Sequence, residues 1–140
     1  SGGVNHSGTY NATLPVVAAA IATLTLLGAE NGALMTRIHA TGERLIEGLR
    51  REARDAGVPL NVTGVGAVFN TSFGGPGEIT DYHSYKRTDL KLQQRFLAGL
   101  VARGIRPIPR GAWFVSAAHS ADDIDETLTA ARHVLRHLSD

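Results

Sequence analysis

The sequence predicts an α+β fold: a small antiparallel or mixed sheet with helices on one face, preceded by a long apolar helix. Three observations carry this. Strand-like segments come in adjacent pairs, which favours hairpins over parallel crossovers. Helical periodicity surrounds those pairs on both sides. The first helix is apolar on nearly every side, unlike the amphipathic helices that follow.

Ser1 to Ala12 is rich in Gly, Ser and Asn and reads as a loop. Thr13 is placed to cap a helix, and Pro15 suits its first turn, where backbone N–H groups have no intrahelical partner. That helix runs through Val16, Val17, Ile21, Leu24 and Leu27, with Ala and Thr elsewhere, to a break at Gly28. A second helix, from Asn31 to Ala56, carries the stripe Leu34, Ile38, Leu45 and Leu49, and Gly57 with Pro59 ends it. Leu60 to Thr63 and Ala67 to Phe73 alternate as strands, the second with Ala67, Phe69, Thr71 and Phe73 on one face. Gly74 to Gly77 is a loop. A third helix, Thr88 to Arg103, turns Leu90, Leu97, Leu100 and Val101 inward and stops at Gly104. Ile105 to Ile108 and Trp113 to Ser116 are expected as two further strands. Ser120 and Asp123 form a capping box for a last helix with Ile124, Leu128, Ala131, Leu135 and Leu138 inward.

Composition narrows the function. The 140 residues suffice for one compact domain, and a net charge of +1 without a concentrated basic patch argues against nucleic acid. The absence of cysteine excludes disulfides, thiolate zinc sites and cysteine nucleophiles. It also suits a reducing compartment, and the expected location is the cytoplasm. The longest apolar run, Pro15 to Ala22, is too short for a bilayer, so no membrane partner is expected. Ser1 to Asn11 has neither a basic start nor an apolar stretch, so no signal peptide is expected there.

Several residues invite chemistry. Ser7-Gly8-Thr9 lies ahead of a helix start, where backbone N–H groups and a hydroxyl suit an anion. Arg110, in a Pro-Arg-Gly loop, offers a bidentate fork to a substrate carboxylate. His133 and His137 stand one helical turn apart, a chelating spacing, but on a face opposite the apolar stripe and with no third ligand. The acids from Asp122 to Glu126 complement a helix dipole. The neighbours His6 and Ser7, and likewise Asp81 and His83, lack the strained nucleophile turn of a hydrolase. The only lysines, Lys86 and Lys91, sit in polar surroundings that suit the surface rather than a Schiff base.

Three stretches together resemble the glutamate-1-semialdehyde aminomutase-like branch of the class III aminotransferases. They are His6 to Ala12 with the Ala-rich helix Ala18 to Leu24, then Ile79 to Tyr82 leading to Lys86 to Asp89, and finally Trp113 to Ser120 with Asp123-Ile124 and Thr127-Leu128. One departure is that Thr13-Leu14 stand where the family has Asn-Pro, with Pro15 one place later. The resemblance implies that residues 1–140 are the C-terminal small domain of a fold-type-I enzyme. The large domain, with its Schiff-base lysine, would lie before the matched stretch. It further implies pyridoxal 5'-phosphate as cofactor, a homodimer in which Gly8 and Thr9 reach the cofactor phosphate of the neighbouring subunit, and a small amino acid or amino aldehyde as substrate. No catalytic residue is expected within the chain, no metal site, and no activity for the chain alone. A stand-alone α+β binding module without catalysis is the alternative.

Overall fold

A computed structural model describes residues 3, 8–10, 12–75 and 79–138. The chain divides into two compact units, residues 1–36 and 37–140.

In the first unit, helix α1 (Leu14–Gly28) has no buried residue. Its apolar side chains stand in the open, with Ile21 61% and Leu24 69% exposed. The helix ends at Gly28, as expected, and a short 3-10 turn (Ala29–Gly32) follows, within which Glu30 and Asn31 take left-handed backbone angles. That break bears on membrane insertion. The run Leu14–Asp55 contains an 18-residue window of mean hydropathy 1.5, apolar enough for a bilayer by length and composition alone. Helix α1 itself, at 15 residues, reaches only about 22 Å, against a hydrocarbon core of about 30 Å.

The second unit is a three-stranded antiparallel sheet backed by helices, from the rest of α2 (Ala33–Asp55) onward. Strands β1 (Leu60–Val65) and β2 (Val68–Phe73) form a hairpin in which Asn61 faces Ser72 and Thr63 faces Asn70. Strand β3 (Ala112–Phe114) pairs with β2, Trp113 opposite Phe69. The order β1-β2-β3 thus places β2 at the centre.

One face of the sheet is apolar. Val62, Phe69, Phe73 and Trp113 pack against α2, α4 (Leu90–Val101) and α5 (Ala121–Arg136) through Leu45, Ile46, Leu49, Phe96, Leu100, Ile124, Leu128 and Leu135. Phe69 stacks on Trp113 with centroids 5.6 Å apart, and Phe73 meets Phe96 edge-on at 5.2 Å. Such pairs add to the burial of their rings. Ser120 and Asp123 form the expected capping box of α5, and the inward stripe of that helix is as predicted.

Four expectations need correction. Ile105 to Ile108 is not a strand. Pro107 lacks a donor, the N–H of Ile105 is spent on Leu100 O at the end of α4, and that of Ile108 goes to Ala112 O. Leu90 and Val101 are exposed, while Gln93 and Phe96 point inward from α4. Thr13 does not cap α1; its hydroxyl donates to Tyr10 O at 3.2 Å. A short helix α3 (Tyr82–Lys86) is present where none was expected, started by a capping box between Asp81 and Ser84.

Candidate functional site

Arg110 sits on a tight turn ahead of β3. The N–H of Gly111 donates to Ile108 O at 2.8 Å, closing the turn across Pro109 and Arg110. Proline presets its backbone angle for such a turn and sheds a donor that would go unused. Gly111 has a φ of +87°, and a Cβ there would lie 2.3 Å from Thr71 O, so only glycine fits.

The central strand ties this turn down. The N–H and Oγ1 of Thr71 both donate to Gly111 O, at 2.8 and 3.3 Å, and Asn70 Nδ2 donates to Arg110 O at 3.3 Å. The Arg110 side chain is left exposed. A guanidinium offers five donors in a fixed fork, a geometry that suits a carboxylate.

The hairpin face away from the core is polar. A cavity of about 260 Å³ is lined there by Thr63, Asn70, Ser72, Ile79 and Tyr85. Sequence reasoning missed it, although the alternation of Asn61, Thr63, Asn70 and Ser72 signalled a face built for polar company. Asn70 links it to the Arg110 turn through the carbonyl it binds.

Gly8 and Thr9 belong to the first unit and are exposed, four or more residues ahead of α1. His6, Ser7 and Asn11, which complete that motif, lie outside the described residues. Because the Thr13 hydroxyl is turned to Tyr10 O, it does not cap the first turn of α1. The first N–H groups of a helix have no intrahelical partner, a setting that suits an anion.

The other candidates resolve as structure. Asp81 accepts from the backbone N–H of Ser84, and this bond holds its carboxyl below the usual carboxylate range. His133 and His137 stack at 4.6 Å on an exposed face, and the charge of Arg103 lowers the pKa of His133. Among the described residues no group of three or more His, Asp or Glu could hold a metal. Ser116 and His119 form a pair that the sequence reading did not single out, Oγ to Nδ1 at 3.1 Å. Nδ1 also accepts the N–H of Ser116 at 3.0 Å, so the pair closes a turn ahead of α5. Lys86 lies over the ring of Tyr82 and both lysines are exposed, as the sequence predicts.

No family model matches the chain. It is 36% identical over 140 residues to a glutamate-1-semialdehyde 2,1-aminomutase of Desulfatibacillum aliphaticivorans, covering 99% of this chain and 32% of that protein. Among solved structures, a β-phenylalanine aminotransferase from Variovorax paradoxus is 31% identical with a TM-score of 0.77, covering 95% of this chain and 30% of that one. A glutamate-1-semialdehyde aminomutase from Pseudomonas aeruginosa shares the fold at a TM-score of 0.81 and 20% identity, covering 96% and 30%. The chain thus spans about 32% of the length of the curated relatives it matches. Along almost all its residues, then, the chain is similar to one stretch of the glutamate-1-semialdehyde 2,1-aminomutases, and it has the fold of the C-terminal domain of fold-type-I pyridoxal-phosphate-dependent aminotransferases.

Proposed function

We propose that the chain is the small domain of an enzyme that moves an amino group on an amino acid or amino aldehyde. A larger domain would hold pyridoxal 5'-phosphate on a lysine. The observation that carries this reading is the 36% identity sustained over 99% of the chain. When bound, the cofactor supplies an electron sink, while the protein supplies orientation and electrostatics.

The chain's own residues suit two tasks. Gly8 and Thr9 fit the cofactor phosphate, because they precede a helix start whose N–H donors Thr13 does not cap. In the homodimer they serve the neighbouring subunit's cofactor. Arg110 fits a substrate carboxylate, because its turn is anchored while its guanidinium is free in solvent. The exposed apolar α1 fits a surface covered by the larger domain or the second subunit, in a cytoplasmic enzyme.

Two experiments test the reading. The full-length enzyme is given an amino aldehyde alone, or an amino acid with a keto acid. Turnover in the first marks a mutase and in the second a transaminase; no turnover in either overturns the proposal. In the same enzyme, Thr9→Val removes one hydrogen bond to a charged group, so cofactor affinity falls about 10- to 150-fold. Mixed dimers with one lysine-dead subunit assign the contact. If Thr9 acts across the dimer, the remaining site is weakened when both changes lie on one chain and intact when they lie on different chains. The reverse pattern places Thr9 in its own subunit.

A further inference from the structure

The turn carrying Arg110 rests on one buried hydroxyl. Thr71 is wholly buried at the centre of β2. Its Oγ1 donates to Gly111 O at 3.3 Å and accepts from Trp113 Nε1 at 3.1 Å. Gln93 Nε2, from α4, approaches the same oxygen at 3.5 Å. A hydroxyl has one proton and two lone pairs, so all three are engaged and its rotation is arrested.

The mount is tight as well as saturated. A Cβ on Gly111 would lie 2.4 Å from Gln93 Nε2, so the turn's backbone is pressed directly onto the Gln93 amide. Gln93 is only 4% exposed, and its Oε1 has no hydrogen-bond partner among the described residues. A buried amide with an unpaired acceptor detracts from stability. An aliphatic side chain would fill the space without that loss. Gln93 is therefore better explained by what its donor orients than by what it adds to the core.

We propose that Thr71 is a positioning residue for Arg110. Its hydroxyl, oriented by Trp113 and Gln93, fixes the Ile108–Gly111 turn so that the guanidinium meets a substrate carboxylate from one place. The proposal rests on the reading of Arg110 as the carboxylate-binding residue. A long flexible side chain loses less freedom on binding when its own backbone is already fixed. Thr71 thereby acts on the preference for carboxylate-bearing substrates without touching them.

The test uses the full-length enzyme with its cofactor. For each variant, kcat and KM are measured with the amino acid substrate, and the inhibition constant with that amino acid's carboxamide, a neutral isostere. Arg110→Ala should raise KM for the acid about 10- to 150-fold and leave carboxamide inhibition unchanged. Thr71→Val should raise KM for the acid about 2- to 12-fold, with kcat and carboxamide inhibition held, and Thr71→Ser should restore it. Should Thr71→Val fail to fold, Trp113→Phe, which removes a donor into the hydroxyl together with part of the ring stacked on Phe69, is judged by the same acid-to-carboxamide ratio. A loss shared equally by acid and carboxamide, or an unchanged ratio beside a selective Arg110→Ala, overturns the proposal. An unselective Arg110→Ala instead sinks the reading of Arg110 beneath it, and the two failures are told apart.

Discussion

Glu52 on α2 grips Arg132 on α5 through two hydrogen bonds, Nε to Oε2 at 2.7 Å and an Nη to Oε1 at 3.0 Å. The carboxylate is 3% exposed, whereas Arg132 keeps 46% of its side chain in water. The pair joins two helices that flank the core, and Arg51 adds a weaker contact to the same carboxylate at 3.4 Å.

This arrangement predicts a pH-dependent contribution to stability. The Arg132 hydrogen bonds hold the carboxyl of Glu52 below its ordinary value, against the opposing effect of burial. The stabilisation is therefore fully present above the unfolded value of about 4.3. It is lost as the pH falls through the lower folded value. Glu52→Gln should lower stability by about 1–2 kcal/mol at neutral pH, a figure reduced by the solvent access of Arg132. Urea unfolding of both proteins from pH 7 to pH 3 should show the gap closing only at the acid end. A gap that persists unchanged at pH 3 would mean that shape, not charge, made the difference.

Two glycines on α2 should respond differently to alanine. A Cβ on Gly42 would lie 1.9 Å from Gly66 O, a backbone atom at the tip of the β1–β2 hairpin. A Cβ on Gly48 would meet Leu128 Cδ2 at 2.4 Å, the movable end of a side chain. Alanine gains roughly 0.5–1 kcal/mol of helix propensity at either site. At Gly42 the hairpin must shift, so a net loss of about 2 kcal/mol is expected; at Gly48 the leucine turns aside and the loss stays below about 1 kcal/mol. Equal thermal midpoints for the two variants would contradict this.

What the sequence made legible was local. The α5 capping box and its stripe could be read because Ser120, Asp123 and the leucines lie within a few turns of one another. The Arg110 turn was visible in three letters, Pro-Arg-Gly. The hold that Thr71 has on it was not, because Trp113 and Thr71 are 42 positions apart and neither looks polar-paired in isolation. The inward face of α4 was misjudged for a related reason. A buried Gln93 breaks the apolar stripe, and its place makes sense only once the turn above it is known. Helix α3 escaped notice at five residues, although Asp81 and Ser84 carried a starting signal.

The lysines yield a chemical prediction. Lys86 and Lys91 are both exposed, and neither has the buried setting of a Schiff-base lysine. Treating the chain with pyridoxal 5'-phosphate and borohydride should give only sparse, unselective labelling, checked by peptide mapping. Stoichiometric modification of one of the two lysines would place carbonyl chemistry within this chain and remove the need for a lysine elsewhere.

The last prediction concerns α1. None of its residues is buried, and Leu14, Val16, Ile21, Leu24 and Leu26 are each more than half exposed. Contiguous apolar surface beyond a few hundred Å² marks an interface or an aggregation site. The helix has almost no polar side to turn outward, since its remaining positions are mainly Ala and Thr. The 140-residue chain should therefore associate with itself as its concentration rises, seen by sedimentation velocity. Ile21→Glu with Leu24→Glu places two charges on that helix without altering any residue of 37–140, and should return the chain to a monomer with unchanged far-ultraviolet dichroism. If the unmodified chain remains a clean monomer at high concentration, α1 needs no cover, and the proposed covering of α1 by a larger domain or a second subunit loses its physical basis.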